Sequence, residues 1–301
     1  MKWPEKVTIK EVGPRDGLQN EKKIIPSETK IGWIDSLSET GLSYIEVTSF
    51  VNPKWIPQLA DSLKVAEGIH RKPGVTYAAL VPNLKGLEGA LHAKMDEIAV
   101  FMSASEGHNR KNINKSIHDT YPVLQETVNL ALQEGKKVRG YLSTVFGCPY
   151  EGKVPAAQVL SICERLFEMG IEELSLGDTI GIANPRQVEE ILEQCLKTFK
   201  GARFALHFHD TRGMALANIL KALEMGFDTF DSALGGLGGC PYAPGASGNV
   251  ATDDLVHMLE KMGIDTGINQ DKLLDAGYFL QQKMQSKLPS HQMAVYNAAK
   301  A

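Results

Sequence analysis

Two periodicities alternate along the 301 residues. Short runs rich in β-branched and aromatic residues recur, and between them apolar residues return at helical spacing. The strand candidates in the first half are VTIKEV (7–12), YIEVTSF (44–50), VTYAALV (75–81) and EIAVFMS (97–103). KVRGYLSTV (137–145), ELSLGD (173–178), RFALHFH (203–209) and TFDSAL (229–234) follow. The helical pattern is plainest at 159–170, where Val159, Ile162, Cys163, Leu166, Phe167 and Met169 are the apolar positions and Gly170 stands as a C-cap. Asn184-Pro185 opens the next helix, with proline where the first turn needs no N–H.

Eight strand–helix units predict a (β/α)8 TIM barrel, with a doubly wound open sheet as the alternative. No G-x-G-x-x-G follows the first strand, which weakens the dinucleotide-binding form of that alternative. No linker interrupts the alternation, so one domain is expected over 1–301, its barrel running from about 7 to 264. The tail, 265–301, is expected to add one or two helices packed on the barrel and to be loose after Pro289. Such apolar tail helices also offer a surface for a homodimer.

Composition narrows the function classes. The chain is 43% apolar and 23% charged, ordinary for a globular protein. A net charge of −4, with no basic block, argues against a nucleic-acid partner. No apolar run approaches the roughly 20 residues that cross a bilayer, so no membrane partner is expected. The four cysteines are scattered without a C-x-x-C pair, which suits reduced thiols. The first residues, MKWPEKVTIKEV, lack the apolar core of a signal peptide, and a cytoplasmic protein is expected.

In a barrel of this kind the chemistry gathers where strands end. The first strand runs into GPRDGLQN, which carries Arg15, Asp16 and Gln19. An Arg-Asp pair in such a turn reads either as a structural salt bridge or as a functional pair. The seventh strand ends in LHFHDT, and alternation sends His207 and His209 to one face with Phe208 opposite. Two imidazoles on one face make a metal pair plausible, with Asp210 either supporting a histidine or starting the next turn. Asp178, in SLGDTIG, could bind, act as a base or cap its turn. Glu46 is a carboxylate inside a strand, costly unless paired, and Arg15 is its natural partner if it faces the interior. The segment LGGLGGCPYAPGASGN (234–249) places a thiol, Cys240, among six glycines and ends at Asn249. Asp16, His207, His209 and Asn249 together offer two oxygens and two nitrogens. That set suits Mg²⁺ or Mn²⁺ better than a closed structural zinc. Of the other thiols, Cys163 and Cys195 read as core, and Cys148, in a second GCPY, as a packed turn thiol.

Taken in order, GPRDGLQNE, SFVNPKW, SLGDTIG, HFHDT and GLGGCPYAPGASGN resemble the 3-hydroxy-3-methylglutaryl-CoA (HMG-CoA) lyases, from about Val7 to Ala276. RDG and H-x-H are shared with a wider superfamily that includes isopropylmalate, homocitrate and citramalate synthases, whereas GGCPYAPGASGN is much narrower. The resemblance implies metal-assisted retro-Claisen cleavage of (S)-HMG-CoA to acetyl-CoA and acetoacetate, the reaction of leucine breakdown and ketone-body formation. It implies a divalent cation, Mg²⁺ or Mn²⁺, held by Asp16, His207, His209 and Asn249. Arg15 would meet the substrate carbonyl and Cys240 the reacting carbon. Gln19, Glu46, Ser49, Tyr141, Ser175 and Asp178 would shape or support the substrate pocket. Asp16, a histidine or a water on the cation could serve as base. The Cys240 loop is expected to stand open without substrate, its thiol away from the cation.

Overall fold

The computed structural model describes residues 3–239 and 248–300. Eight parallel strands close on one another in chain order, so the barrel has no free edge. They are β1 (Thr8–Glu11), β2 (Tyr44–Ser49), β3 (Thr76–Leu80), β4 (Glu97–Ser103), β5 (Lys137–Ser143), β6 (Glu173–Asp178), β7 (Arg203–Phe208) and β8 (Thr229–Ser232). The first helices are α1 (Ser27–Ser38), α2 (Ser62–Gly68), α3 (Leu84–His92), α4 (Glu106–Ile113), α5 (Ile117–Gln133) and α6 (Ala156–Glu168). Next come α7 (Pro185–Thr198), α8 (Ala215–Glu224) and α9 (Thr252–Lys261), and α10 (Gln270–Met284) and α11 (His291–Lys300) follow the barrel.

Local chemistry explains the boundaries. Asn184 caps α7 by accepting the N–H of Gln187, and Pro185 takes the first helical position. Gly170 ends the α6 turn in the left-handed region, at φ +93°. β4 and β6 have the expected bounds, whereas β5, β7 and β8 end one or two residues early, where they give way to turns that carry the site.

Alternation along the strands separates two cores. Ile9, Ile45, Val47, Ile98, Val100, Leu174, Leu176, Leu206 and Phe230 belong to the large apolar core. The intervening positions face the barrel axis and are mostly polar: Lys10, Glu46, Arg139, Tyr141, Ser175, His207 and Asp231, all buried. Barrel interiors of this fold are commonly filled with branched aliphatic residues. Here they carry a charged ladder. Lys10 Nζ meets Glu173 Oε1 at 2.7 Å, and Arg139 Nε donates to that same oxygen at 2.7 Å. Arg139 Nη2 donates in turn to Asp231 Oδ1 at 2.5 Å.

The tail corrects one expectation. The chain after Pro289 is not loose: α11 covers His291–Lys300 and packs on α9 and α10. Ser290 donates its hydroxyl to Asp253 Oδ2 at 2.5 Å, and Met293 is fully buried, lying where a side chain on Gly277 would stand.

Candidate active site

Three segments converge at the C-terminal end of the barrel. The first is the π-helical turn Gly13–Gly17 after β1. Val12 carbonyl accepts the N–H groups of Asp16 and Gly17, and this tight turn aims Arg15 and Asp16 over the barrel mouth. Gly13 is needed there, since a side chain would run into Glu11 and Trp33. The second segment is the end of β7, where His207 and His209 lie with ring centroids 5.2 Å apart. The third is Gly248–Val250, which pairs back along β7: Asp210 N–H donates to Gly248 O, and Val250 N–H to Phe208 O. That pairing sets Asn249 opposite His209.

Asp16 is the hub. Its Oδ1 accepts from Arg15 Nη1 at 2.6 Å and from Gln19 Nε2 at 2.7 Å. Its Oδ2 accepts from Asn249 Nδ2 at 2.8 Å and lies 3.8 Å from His207 Nε2. Burial opposes the charge on Asp16, but Arg15 and the histidines outweigh it and draw its pKa down to about 2. His209 moves the other way: burial, with His207 beside it, lowers it to about 4, so it is neutral at pH 7. Arg15 is held charged by Glu46, whose Oε2 accepts its Nε–H at 2.6 Å, and the interior pairing expected of Glu46 is present. The guanidinium also stands over the Tyr141 ring, 5.2 Å from its centroid.

The donor set suits a divalent cation. Candidate ligand atoms of Asp16, His207 and His209 lie within 4.8 Å of one another. Two acceptors, Asp16 Oδ2 and Leu237 O, claim the Asn249 amide N–H groups. Among the described residues, the amide oxygen of Asn249 and Nδ1 of His209 are buried without partners, as atoms awaiting a cation would be. An ionised carboxylate, a neutral imidazole and an amide oxygen form a hard, unsaturated site.

These groups edge a cavity of about 1060 Å³. Arg15, Asp16, Gln19, Tyr141, Ser175, His207 and His209 line it, as do Trp55, Lys85, Lys111 and Lys115. Glu46, Ser49 and Asp178 stand behind that lining, where they can support the pocket without forming its wall. Glu46 is spent behind Arg15 on the guanidinium and the Tyr141 hydroxyl. Ser49 is buried in β2. Asp178 caps its turn, taking the N–H groups of Ile182 and Ala183, and burial raises it to about 6. Asp210 starts α8 by accepting the Ala215 N–H. Cys163 and Cys195 are core, and Cys148 is a buried turn thiol bonded to Ser105. Cys240 and the expected opening of its loop lie outside the described residues.

Sequence reasoning missed Asp231, which sits directly beneath His207, and Arg139 below it. Both are charges at inward positions of a strand, the same signal that singled out Glu46.

The HMGL-like family model matches residues 6–280. The hydroxymethylglutaryl-CoA lyase YngG of Bacillus subtilis is 60% identical over 299 residues, 99% of this chain and all of that protein. The chain belongs to the HMG-CoA lyase family. A crystal structure of the B. subtilis HMG-CoA lyase superposes with a TM-score of 0.97, covering 99% of this chain and 100% of the other. An Acinetobacter baumannii HMG-CoA lyase, solved in complex with coenzyme A and 3-methylmalate, is 41% identical, with a TM-score of 0.92 over 98% of this chain and 96% of that one. Membership decides between the lyase and synthase branches, which RDG and H-x-H alone leave open. Among the described residues, no helix is long and apolar enough to cross a membrane.

Proposed function

We propose that this HMG-CoA lyase family member cleaves (S)-HMG-CoA to acetyl-CoA and acetoacetate with Mg²⁺ or Mn²⁺ held by Asp16, His207, His209 and Asn249. The observation that carries the proposal is the convergence of Asp16, His207 and His209 with the buried, charged Arg15 at one cavity, with Asn249 hydrogen-bonded to Asp16. The cavity lies at the top of the usual size range of a small-ligand pocket and suits a CoA thioester. Lys85, Lys111 and Lys115 line it and offer cations to the CoA phosphates.

A base (Asp16, a histidine or a water) takes the proton of a tertiary hydroxyl, the oxygen becomes the ketone of acetoacetate, and the adjacent C–C bond breaks to leave its electron pair as a thioester enolate. The cation, when bound, supplies Lewis acidity that makes the hydroxyl a stronger acid. Arg15 provides planar, permanently charged donors for the developing enolate oxygen. Glu46 and Asp16 grip that guanidinium from two sides, so it is oriented before substrate arrives. Cys240 then delivers a proton to the enolate carbon; an ordinary thiol pKa near 8.5 allows this at neutral pH. Gln19 fixes Asp16, and Asn20 Nδ2 donates to Gly238 O at 3.0 Å, tying the glycine-rich segment to the Arg15 turn.

Free thiols at Cys148, Cys163 and Cys195 suit a reducing compartment, and the cytoplasm is the proposed location. Cys240→Ser is expected to bind Mn²⁺ and substrate normally and to turn over slowly. Near wild-type kcat in that variant would remove the thiol from the reaction.

A further inference from the structure

His207 turns Nε2 toward Asp16, and its other ring nitrogen is committed below the site. Nδ1 lies 3.3 Å from Asp231 Oδ2, on the neighbouring strand β8. A neutral imidazole carries one N–H, and the nitrogen that holds it has no lone pair to offer. Asp231 already receives Arg139 Nη2 on one oxygen at 2.5 Å and Ser175 Oγ on the other at 2.6 Å. It therefore meets His207 as an acceptor.

We propose that Asp231 is a positioning residue that accepts the Nδ1–H of His207, fixes this tautomer and ring angle, and leaves the Nε2 lone pair aimed at the cation site. The inference rests on reading His207 as a ligand, as set out above. The aspartate is itself fixed from beneath: Arg139 bonds to Glu173, and Glu173 to Lys10. The Tyr141 ring meets His207 edge-on, at an interplanar angle of 86°, and further limits its rotation. A ligand imidazole oriented through its second nitrogen is a recurrent device, and its loss typically lowers metal affinity by about 10–100-fold.

Asp231→Asn gives a sharp test. Arg139 has only donors, so it takes the new amide oxygen and turns the amide N–H groups toward His207 Nδ1. That nitrogen must then accept, and the ring proton moves to Nε2. In ¹⁵N-histidine-labelled, metal-free protein, at a pH alkaline enough that imidazoles are neutral and with His207 signals identified by their loss in His207→Gln, the wild type is expected to show Nδ1–H and a bare Nε2. Asp231→Asn is expected to show the reverse and to bind Mn²⁺ about 10–100-fold more weakly. An Nε2–H tautomer in the wild type overturns the proposal, and so does a variant that binds Mn²⁺ as tightly as wild type. The wild-type tautomer does not depend on Asp231→Asn, so it decides the matter even where that variant does not fold. A wild type that binds no Mn²⁺ contradicts the ligand reading alone, because the tautomer still judges Asp231.

Discussion

Arg15 is nearly buried yet charged, with Nε on Glu46, Nη1 on Asp16 and its face toward Tyr141. Such a group acts on developing charge more than on the ground state. Arg15→Gln is expected to lower kcat by about 10²–10³ with a much smaller change in KM, measured by steady-state acetoacetate release. Near-normal kcat would exclude this role. Glu11 makes a different prediction. Burial raises its pKa to about 7 from 4.5, against the pull of Thr252 and the N–H groups of Leu234 and Gly13. Between those pH values the fold keeps a proton that the unfolded chain releases. The raised group's contribution is thus fullest below about pH 4.5 and is lost as pH rises through about 7. Glu11→Gln keeps the two N–H acceptor contacts without the titration. Its stability relative to wild type should climb between pH 5 and 8, by up to about 3 kcal/mol, in denaturant unfolding. A pH-independent difference would refute that assignment.

At the scale of elements, the site depends on how the turn after β1 and the segment after β8 close on the end of β7. Gly238 stands at φ +118°, and a Cβ there would lie 2.5 Å from Asn249 Nδ2. Gly238→Ala is therefore expected to push Asn249 off its position and weaken Mn²⁺ binding about tenfold or more, with a stability loss of about 1–3 kcal/mol. Unchanged Mn²⁺ affinity in a titration would show that Asn249 is not so placed. The sequence made these turns readable because strand ends are punctuated by glycine and proline, and because alternation puts His207 and His209 on one face. Lys10, Arg139, Glu173 and Asp231 were not readable in the same way. Each can be noticed as an inward-facing charge, but its partner lies on another strand and is joined only when the barrel closes. No spacing rule within one segment can reveal that pairing.

Across the whole molecule, the helices beyond the barrel reach back to the site. Ser290 N–H donates to Gly235 O, Gly235 N–H donates to Asp253 Oδ1, and Ser290 Oγ reaches the other oxygen of Asp253. The start of α11 thereby pins the turn from which the glycine-rich segment departs. The sequence HQMAVYNAAK hides this, because Met293 alone among its residues is buried. Deleting residues 290–300 should lower Tm by about 2–4 °C for each kcal/mol lost and reduce activity below what the Tm change explains. Full activity at 25 °C would show that the tail supports only itself. The central claim is that Asp16, His207, His209 and Asn249 hold the cation that cleavage of HMG-CoA needs. Acetoacetate release by the chelator-stripped protein, with and without added Mg²⁺ or Mn²⁺, tests it most directly. Activity should be absent from the stripped protein, return with either ion, and fail to return in Asp16→Asn. Cleavage by the stripped protein, or full restoration in Asp16→Asn, would contradict it.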